Sequence, residues 1–483
     1  MGGELRHVGS LGIGGPEIGG VAVDTRRPSC GGMCVVTVLI FALGVVLAAV
    51  GLIASIALHE VGHLLPAKLF GVRVMQYMVG FGPTVFSRVR GETEYGLKAI
   101  PLGGYIAMVG MYPPARGRPA GVDSTGVMQQ MAAETRSVAH AQVLPGDEAR
   151  AFYRLPVHRR VVIMLGGPLM NLLLAVICIA VVITGFGIQA PSTTLSSVSR
   201  CVQQVDPGSA AQDAPAETGE CTDDDAAAPA HAAGLRPGDT VVSLGGRPIA
   251  SWDELTEIVR AEAGRPLEVV YERDGQRAAT RMTPVETARP ELDAAGEPLV
   301  EDGRYVLRDV GFIGASSAFE LQRQPLTAVP AEVAHGLERV AGGLIRLPVN
   351  VWNVAVSTFT EAPRDPEGPM SVVGVGRISG DVAVTDQLEL REKTAALVSL
   401  IGSVNLALFA FNLLPLLPLD GGHIAGALWE RLRRGLAALR SRPDPGPFDP
   451  LRLLPLTYAM SVAMIAMTAI LVLADLIEPV RIF

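Results

Sequence analysis

The sequence predicts a polytopic α-helical membrane protein with four transmembrane helices, a β-hairpin after the first of them and an α+β domain inserted after the second. The first reason is composition. The 483 residues are 49% apolar and 18% charged, with a mean hydropathy of +0.35, whereas soluble domains carry roughly 25% charged residues. The second reason is four apolar runs, at 35–58, 161–188, 394–419 and 453–474, each long enough to cross a bilayer core.

The first predicted helix covers 35–70 and follows an N-terminal extension, 1–34, that is rich in glycine. A secretory signal peptide over 26–57 is an alternative, but the apolar run is long for one and no small-residue cleavage site follows it. Met33 directly precedes the run, which suggests a second candidate start of translation. Cys30 and Cys34 form an i,i+4 pair, too little on its own to define a metal or thiol site.

The end of this apolar run carries the motif His59-Glu60-Val61-Gly62-His63. Histidines at i and i+4 lie on one face of a helix, where both imidazoles can bind one zinc ion. A carboxylate beside them can activate a water molecule on the metal. Because ionisable groups inside a membrane helix are costly, the motif predicts a zinc hydrolase site at membrane depth rather than a chance match.

The loops 71–160 and 424–452 are rich in lysine and arginine, so the positive-inside rule predicts that both are cytoplasmic. The stretch 189–393 and both termini would then lie outside the cell, although Arg26 and Arg27 stand on the supposed outer side. The net charge of −8 is unevenly spread and indicates no nucleic-acid partner. We expect a plasma-membrane protein with its active site toward the cytoplasm.

Short β-prone runs between glycine and proline residues predict hairpin strands within 80–105, in the segment 71–160. They are Thr84-Val85-Phe86-Ser87 and the run from Tyr95 to Tyr105, which includes Gly103 and Gly104. Residues 112–150 are rich in small and polar residues and predict a mobile insertion.

After the second helix, 161–188, the segment 189–325 predicts an α+β domain. Its helix, 253–262, has Ser251 as an expected N-cap and Glu254 as the partner in a capping box. Strands 267–273 and 277–283 flank the turn Asp274-Gly275. Cys201 and Cys221 fall in an oxidising compartment, so we expect a disulfide, with two free thiols as the alternative.

Two histidines leave a catalytic zinc one protein ligand short, and Asp420 is the best candidate for the third. It closes the third predicted helix, 394–423, just after Pro415 and Pro418, and it belongs to the same side of the membrane as His63. A helix-capping role is the alternative. We expect 326–393 to be an amphipathic linker, with 341–360 on the surface, and 453–483 to hold the fourth helix and a tail.

The motif pair H-E-x-x-H and N-x-x-P-x-x-x-L-D-G-G resembles the site-2 protease family of intramembrane zinc metalloproteases. The layout is similar to the actinobacterial regulated intramembrane proteases that cleave anti-sigma factors. The resemblance includes G-F-G-P, P-L-G-G-Y and the run from Gly166 to Asn171. The run Gly234-Leu235-Arg236-Pro237-Gly238-Asp239, followed by strand, turn and helix, resembles a PDZ domain. The chain departs from the family by its N-terminal extension and by a single PDZ-like module.

The resemblance implies Zn²⁺ held by His59, His63 and Asp420, with Glu60 as general acid and base. It implies that Asn412 lies near bound substrate and that the hairpin is membrane-associated and holds substrate in extended form, which adds Gly103, Gly104 and Tyr105 as substrate-binding residues. His423 is expected to support the site without binding the metal.

The predicted function is therefore intramembrane endopeptidase activity on single-span membrane proteins such as anti-sigma factors, and also on signal-peptide remnants. Expected partners are these substrates, the lipid bilayer and an upstream site-1 protease. Two alternatives stay open: a membrane zinc peptidase whose third ligand comes from a cytoplasmic domain, and a PDZ-bearing membrane adaptor with a vestigial zinc site.

Overall fold

The computed structural model describes residues 31–113, 147–202, 221, 225–291, 299–301, 304–360, 364–365 and 368–480. The extension 1–30, most of the insertion 112–150 and much of the acidic loop 200–232 lie outside the described residues. The longer helices are α1 (Gly31–Leu69), α2 (Val157–Val181), α3 (Trp252–Ala261), α4 (Val329–Phe359), α5 (Val372–Val384), α6 (Leu390–Asn412), α7 (Asp420–Leu439) and α8 (Leu454–Ile477).

Among the described residues, four helical stretches are long and apolar enough to cross a membrane, as the sequence predicted. They are Val35–Leu69, Val157–Phe186, Leu390–Asn412 and Pro450–Ile477. α1 packs against α2 and α5, and α2 packs against α6 and α7. Asn405 of α6 is buried and donates a hydrogen bond to Ser55 of α1 over 2.8 Å, one turn before the H-E-x-x-H motif.

Close contact between α1 and α2 depends on glycine. A methyl group added at Gly62 would lie 2.2 Å from the carbonyl oxygen of Gly166, and one added at Gly166 would lie 2.0 Å from that of Gly62. A methyl group at Gly167 would lie 2.2 Å from His63 Nε2. The two backbones therefore touch at the turn that carries the second histidine, as small residues allow between membrane helices.

The third membrane-spanning helix is shorter than predicted. α6 ends at Asn412, and a separate helix, α7, begins at Asp420, so one helix over 394–423 is a wrong prediction. Pro415 and Pro418 lie in the break, where neither can donate the backbone hydrogen bond that a continuing helix needs. The break places Asp420 in the first turn of a new helix.

The segment 326–393 is more than a surface linker. α4 packs against α2, α6 and α8, while α5 packs against α1, α6 and α8. Asp475 of α8 is buried and accepts hydrogen bonds from Ser371 N (2.7 Å), Ser371 Oγ (2.6 Å) and Gly374 N (3.2 Å) at the start of α5. Arg364 pairs with the same carboxylate and donates to the carbonyl oxygen of Glu478. These bonds attach the segment to the end of α8.

Two long bent strands, β1 (Val74–Arg90) and β2 (Thr93–Met108), pair with each other. Met78 lies opposite both Tyr105 and Gly96, so the middle of β1 is flanked by two different parts of β2. The start of β1 and the end of β2 pack with α1 and α2 around Leu64, Ile163 and Met108. In the described part of the chain, the end of β2 pairs with β1 on one side only.

The inserted α+β module contains the remaining strands: β3 (Ile188–Val198), β4 (Thr240–Leu244), β5 (Arg247–Pro248), β6 (Leu267–Arg273), β7 (Gln276–Met282), β8 (Val285–Pro290), β9 (Val300–Glu301), β10 (Arg304–Tyr305), β11 (Leu307–Phe312) and β12 (Ala315–Gln322). The main sheet has the order β12-β3-β4-β6-β7, and β5 pairs with β4. Its core includes Leu195, Leu244 and Val269, covered by Leu255 and Val259 of α3.

Several local predictions hold in this module. Ser251 Oγ accepts from Glu254 N (3.3 Å), which confirms the N-cap. The Glu254 carboxylate accepts from Ala250 N and not from Ser251 N, so the capping box is shifted by one residue. Asp274 and Gly275 have φ of 53° and 76°, the left-handed values that a two-residue hairpin turn needs. The predicted disulfide between Cys201 and Cys221 is confirmed.

Candidate metal centre

The two histidines of the H-E-x-x-H motif lie side by side on α1, and α2 orients both rings. His59 Nδ1 lies 2.9 Å from Asn171 Oδ1, and His63 Nδ1 lies 2.8 Å from the carbonyl oxygen of Ile163. Since both oxygens accept, each Nδ1 carries the proton and each Nε2 has a free lone pair. Such support by neighbouring groups is typical of histidines that bind a metal.

Asp420 completes the group from the far end of the chain. Its Oδ2 lies 3.3 Å from His59 Nε2 and 3.3 Å from His63 Nε2, while the two Nε2 atoms are 3.2 Å apart. The break between α6 and α7 brings this carboxylate to α1, because α7 starts at Asp420 and packs against α2. Among the described residues, these three form the one cluster of this kind.

The three atoms fit a zinc ion. Zinc binds nitrogen and oxygen at about 2.0–2.1 Å, so neighbouring ligand atoms of a tetrahedral site are about 3.3 Å apart. The observed separations of 3.2 and 3.3 Å match that spacing. Asp420 Oδ2 is buried and has no hydrogen-bond partner among the described residues, which is costly unless a cation satisfies it. Three protein ligands also leave a fourth position open for water.

Glu60 is buried beside these ligands. A methyl group added at Gly104 of β2 would lie 2.8 Å from Glu60 Cγ and 3.2 Å from Glu60 Oε1. The β2 backbone therefore lies directly against the Glu60 side chain, and this contact is possible because glycine has no side chain. The end of β2, which has one edge without a partner strand among the described residues, therefore lies next to a candidate general base.

The other predicted substrate-binding residues lie on β2 and at the end of α6. Gly103 has φ of +113°, and an added methyl group there would meet the Phe81 ring at 2.5 Å. Tyr105 stacks on the Phe81 ring with 6.4 Å between centroids. Asn412 is the last residue of α6, before the break that leads to Asp420. His423 lies one turn after Asp420 on α7, and it is not part of the three-residue cluster.

The sequence interpretation missed the support that α2 provides. The sequence places Asn171 in a motif but does not predict its contact with His59, and it gives no sign of the contact between His63 and the Ile163 carbonyl. One signal was present: an asparagine inside the apolar run 161–188 is costly unless it has a partner. The carbonyl contact leaves no trace in residue type, because every residue has the same backbone carbonyl oxygen.

The fold and this site define a membrane-spanning protein in which the first two candidate spans meet the start of α7 at a cluster of metal-ligating side chains. Comparison with known proteins gives the family. The sequence matches Peptidase family M50 over residues 47–442, and the chain belongs to that family.

Named relatives agree. The chain is 34% identical to the zinc metalloprotease Rip1 of Mycobacterium tuberculosis, over 92% of this chain and 100% of the relative. It is 31% identical to Rip1 of Mycolicibacterium smegmatis over the same shares. It is 26% identical to the zinc metalloprotease RasP of Geobacillus kaustophilus, over 79% of this chain and 87% of that protein. The protein is therefore a zinc-dependent membrane protease of the site-2 type, with several spans.

Proposed function

We propose that the protein cleaves transmembrane segments of single-span membrane proteins, anti-sigma factors among them, and also signal-peptide remnants. In this proposal His59, His63 and Asp420 are the zinc ligands and Glu60 is the general acid and base. The observation that carries it is the triangle of Nε2, Nε2 and Oδ2 atoms, 3.2–3.3 Å on each side, next to a buried glutamate on a candidate span.

Zinc, when bound, supplies a Lewis acid that activates water and polarises a peptide carbonyl. Glu60 accepts the proton of the attacking water and returns it to the leaving amine, so one carboxyl group serves both halves of the reaction. Asn171 and the Ile163 carbonyl keep the two imidazoles in the tautomer that points Nε2 toward Asp420.

A helical substrate hides its carbonyl groups in backbone hydrogen bonds and must unwind before cleavage. We propose that the opened segment adds as a strand to the free side of β2 near Gly104, where it would lie against Glu60. Gly103 gives this part of β2 its left-handed turn, and Tyr105 and Asn412 would contact substrate on either side. In this proposal β1 and β2 enter the membrane.

The proposal extends to the surroundings. The module 189–325 would be a PDZ-like domain outside the cell, and the site would open toward the cytoplasm, as the basic loops 71–160 and 424–452 predict. An upstream site-1 protease would trim substrates before they reach the site. The Cys201–Cys221 disulfide supports an oxidising location for the module.

Replacement of Glu60 by glutamine tests the assigned base. The amide cannot accept a proton, so we expect Glu60→Gln to keep zinc and fold but to lose at least about 10²–10⁴-fold in turnover, the usual contribution of general acid–base catalysis. Mass spectrometry of single-span proteins that co-purify with this variant then identifies trapped substrates. Retained turnover in a variant with full zinc content would refute the role of Glu60.

Replacement of Asp420 tests the ligand set. Asp420→Ala removes one of three ligand atoms, and we expect clear loss of bound zinc in elemental analysis of the purified protein. Asp381→Ala, which changes a partly exposed acid on α5, is the matched control and should keep its zinc. Unchanged zinc content in Asp420→Ala would exclude this carboxylate and favour a ligand from a cytoplasmic domain.

A further inference from the structure

Helix α7 exposes an apolar face. Leu428, Leu432, Leu436 and Leu439 recur at i, i+4, i+8 and i+11, which places them in one stripe of a helix that turns about 100° per residue. Trp429 borders the stripe. These five side chains are 42–83% exposed. In water such a contiguous apolar face is costly, so a partner is expected to cover it.

The opposite face of α7 is fixed to the rest of the protein. Glu430 is only 1% exposed, pairs with Arg160 Nη2 at 2.6 Å and accepts from Phe448 N over 2.8 Å. A methyl group added at Gly426 would meet the Phe448 ring at 2.4 Å. Because this side is held against the start of α2 and the chain that follows α7, the helix cannot rotate to bury its leucines.

Positive charge borders the apolar stripe on both sides. Arg431 lies about 60° before Leu428 around the helix and Arg440 about 120° after it. Both are exposed, and neither forms an ion pair with any residue that the structure describes. Arg433 and Arg434 are different, because they contact the Pro445 carbonyl, Glu430 and Asp444.

The chain holds α7 at a membrane surface. The span Leu390–Asn412 ends shortly before it, and the span Pro450–Ile477 begins soon after it. α7 is not itself a candidate span, since Asp420, Glu430 and three arginines make it too polar to cross a bilayer. A helix with an apolar stripe, flanking arginines and a tryptophan at the border is typical of helices that lie in the headgroup region.

We propose that α7 is an interfacial helix that binds anionic phospholipids: its leucine stripe enters the acyl-chain boundary, and Arg431 and Arg440 bind the headgroup phosphates. Two arginines that pair with none of the described acidic residues, beside an apolar stripe, favour an anionic lipid over a second protein, whose surface would have to match both features. Because α7 begins at Asp420, the same lipid contact sets the depth of that carboxylate in the membrane.

Fluorescence of Trp429 tests the proposal in the full chain. Trp252→Phe and Trp352→Phe leave Trp429 as the single reporter. The protein is placed in lipid nanodiscs that contain equal mole fractions of brominated phosphatidylglycerol or brominated phosphatidylcholine, because bromine quenches tryptophan at short range. We expect brominated phosphatidylglycerol to quench more strongly, with a local enrichment of about fivefold for each arginine that faces a phosphate.

The enrichment should fall toward one in Arg431→Gln/Arg440→Gln and in 1 M salt, which screens the headgroup charge. Arg265→Gln/Arg277→Gln removes the same charge from exposed positions of the α+β module and should leave the enrichment unchanged. In the chain that keeps Trp252 and Trp352, Trp429→Phe should remove the phosphatidylglycerol-dependent part of the quenching. This control does not depend on the substitutions Trp252→Phe and Trp352→Phe.

Equal quenching by the two lipids at low salt would overturn the assignment of an anionic partner. Absence of quenching by either lipid would show that protein covers the stripe and would overturn the proposal entirely. Neither measurement depends on proteolysis, so the result is independent of the function proposed for the metal centre.

Discussion

His59 and His63 each bind α2 through one ring nitrogen and leave the other for a metal. The two supports differ in kind. The Ile163 carbonyl is part of the backbone and is set by the position of α2, whereas Asn171 is a side chain that a single substitution can remove. The orientation of His59 is therefore the more easily changed of the two.

We expect Asn171→Ala to weaken zinc binding about 10–100-fold, the usual effect of losing a partner that orients a metal-binding histidine. Competition with a fluorescent zinc chelator measures the affinity. Asn350→Ala, which changes an asparagine of α4 outside this site, is the control and should bind zinc as the unchanged protein does. Equal affinities for the two variants would show that the bond from His59 to Asn171 does not matter for the metal.

At the scale of elements, the contact between α1 and α2 decides where both histidines stand. The sequence predicted the existence of both helices, because the length of an apolar run is read directly from residue types. It did not predict their contact, because rotation and distance between two helices depend on how whole surfaces fit. The sequence contains Gly62, Gly166 and Gly167, but residue type alone does not predict which backbone a glycine will contact.

Gly166→Ala should force α1 and α2 apart, since the new methyl group would lie 2.0 Å from the Gly62 carbonyl oxygen. We expect a loss of about 1–3 kcal/mol in stability, the range for overpacked interiors, together with lower zinc content. Thermal unfolding of the purified protein measures the first effect. Gly342→Ala on α4, where nothing lies within 4 Å, is the matched control. A melting temperature as high as that of the control would contradict the close contact.

The ends of the third span show a second limit of the sequence. The apolar pattern continues through 394–419, and only the prolines indicate that the helix stops. They could be used to predict a break but not the new helix that starts at Asp420. That helix is attached to α2 by the buried pair of Glu430 and Arg160, which joins distant parts of the chain.

At the scale of the whole molecule, the ion pair between Arg364 and Asp475 joins the segment after α4 to the end of α8. Both side chains are buried. A carboxylate on an apolar span was not singled out from the sequence, although its rarity in such a run is a signal in itself. The same carboxylate accepts from Ser371 N and Gly374 N, so it supports the start of α5 together with the Ser371 hydroxyl, which caps the helix.

Arg364→Met should destabilise the protein by about 3–5 kcal/mol, because it leaves the Asp475 carboxylate buried without its cation. Asp475→Asn combined with Arg364→Met should recover part of that loss, since no uncompensated charge remains. Chemical or thermal unfolding of the two variants gives the comparison. Equal stabilities would show that the charge of Asp475 is already balanced by the amide groups of α5.

The distance along the chain between His63 and Asp420 has a consequence for biosynthesis. During translation Asp420 is made more than 350 residues after His63. A product that ends before Asp420 thus carries Glu60 but only two of the three side chains proposed to bind the metal. In the proposed site, protease activity would arise only after synthesis has passed Asp420, so a shorter product would not cleave membrane proteins.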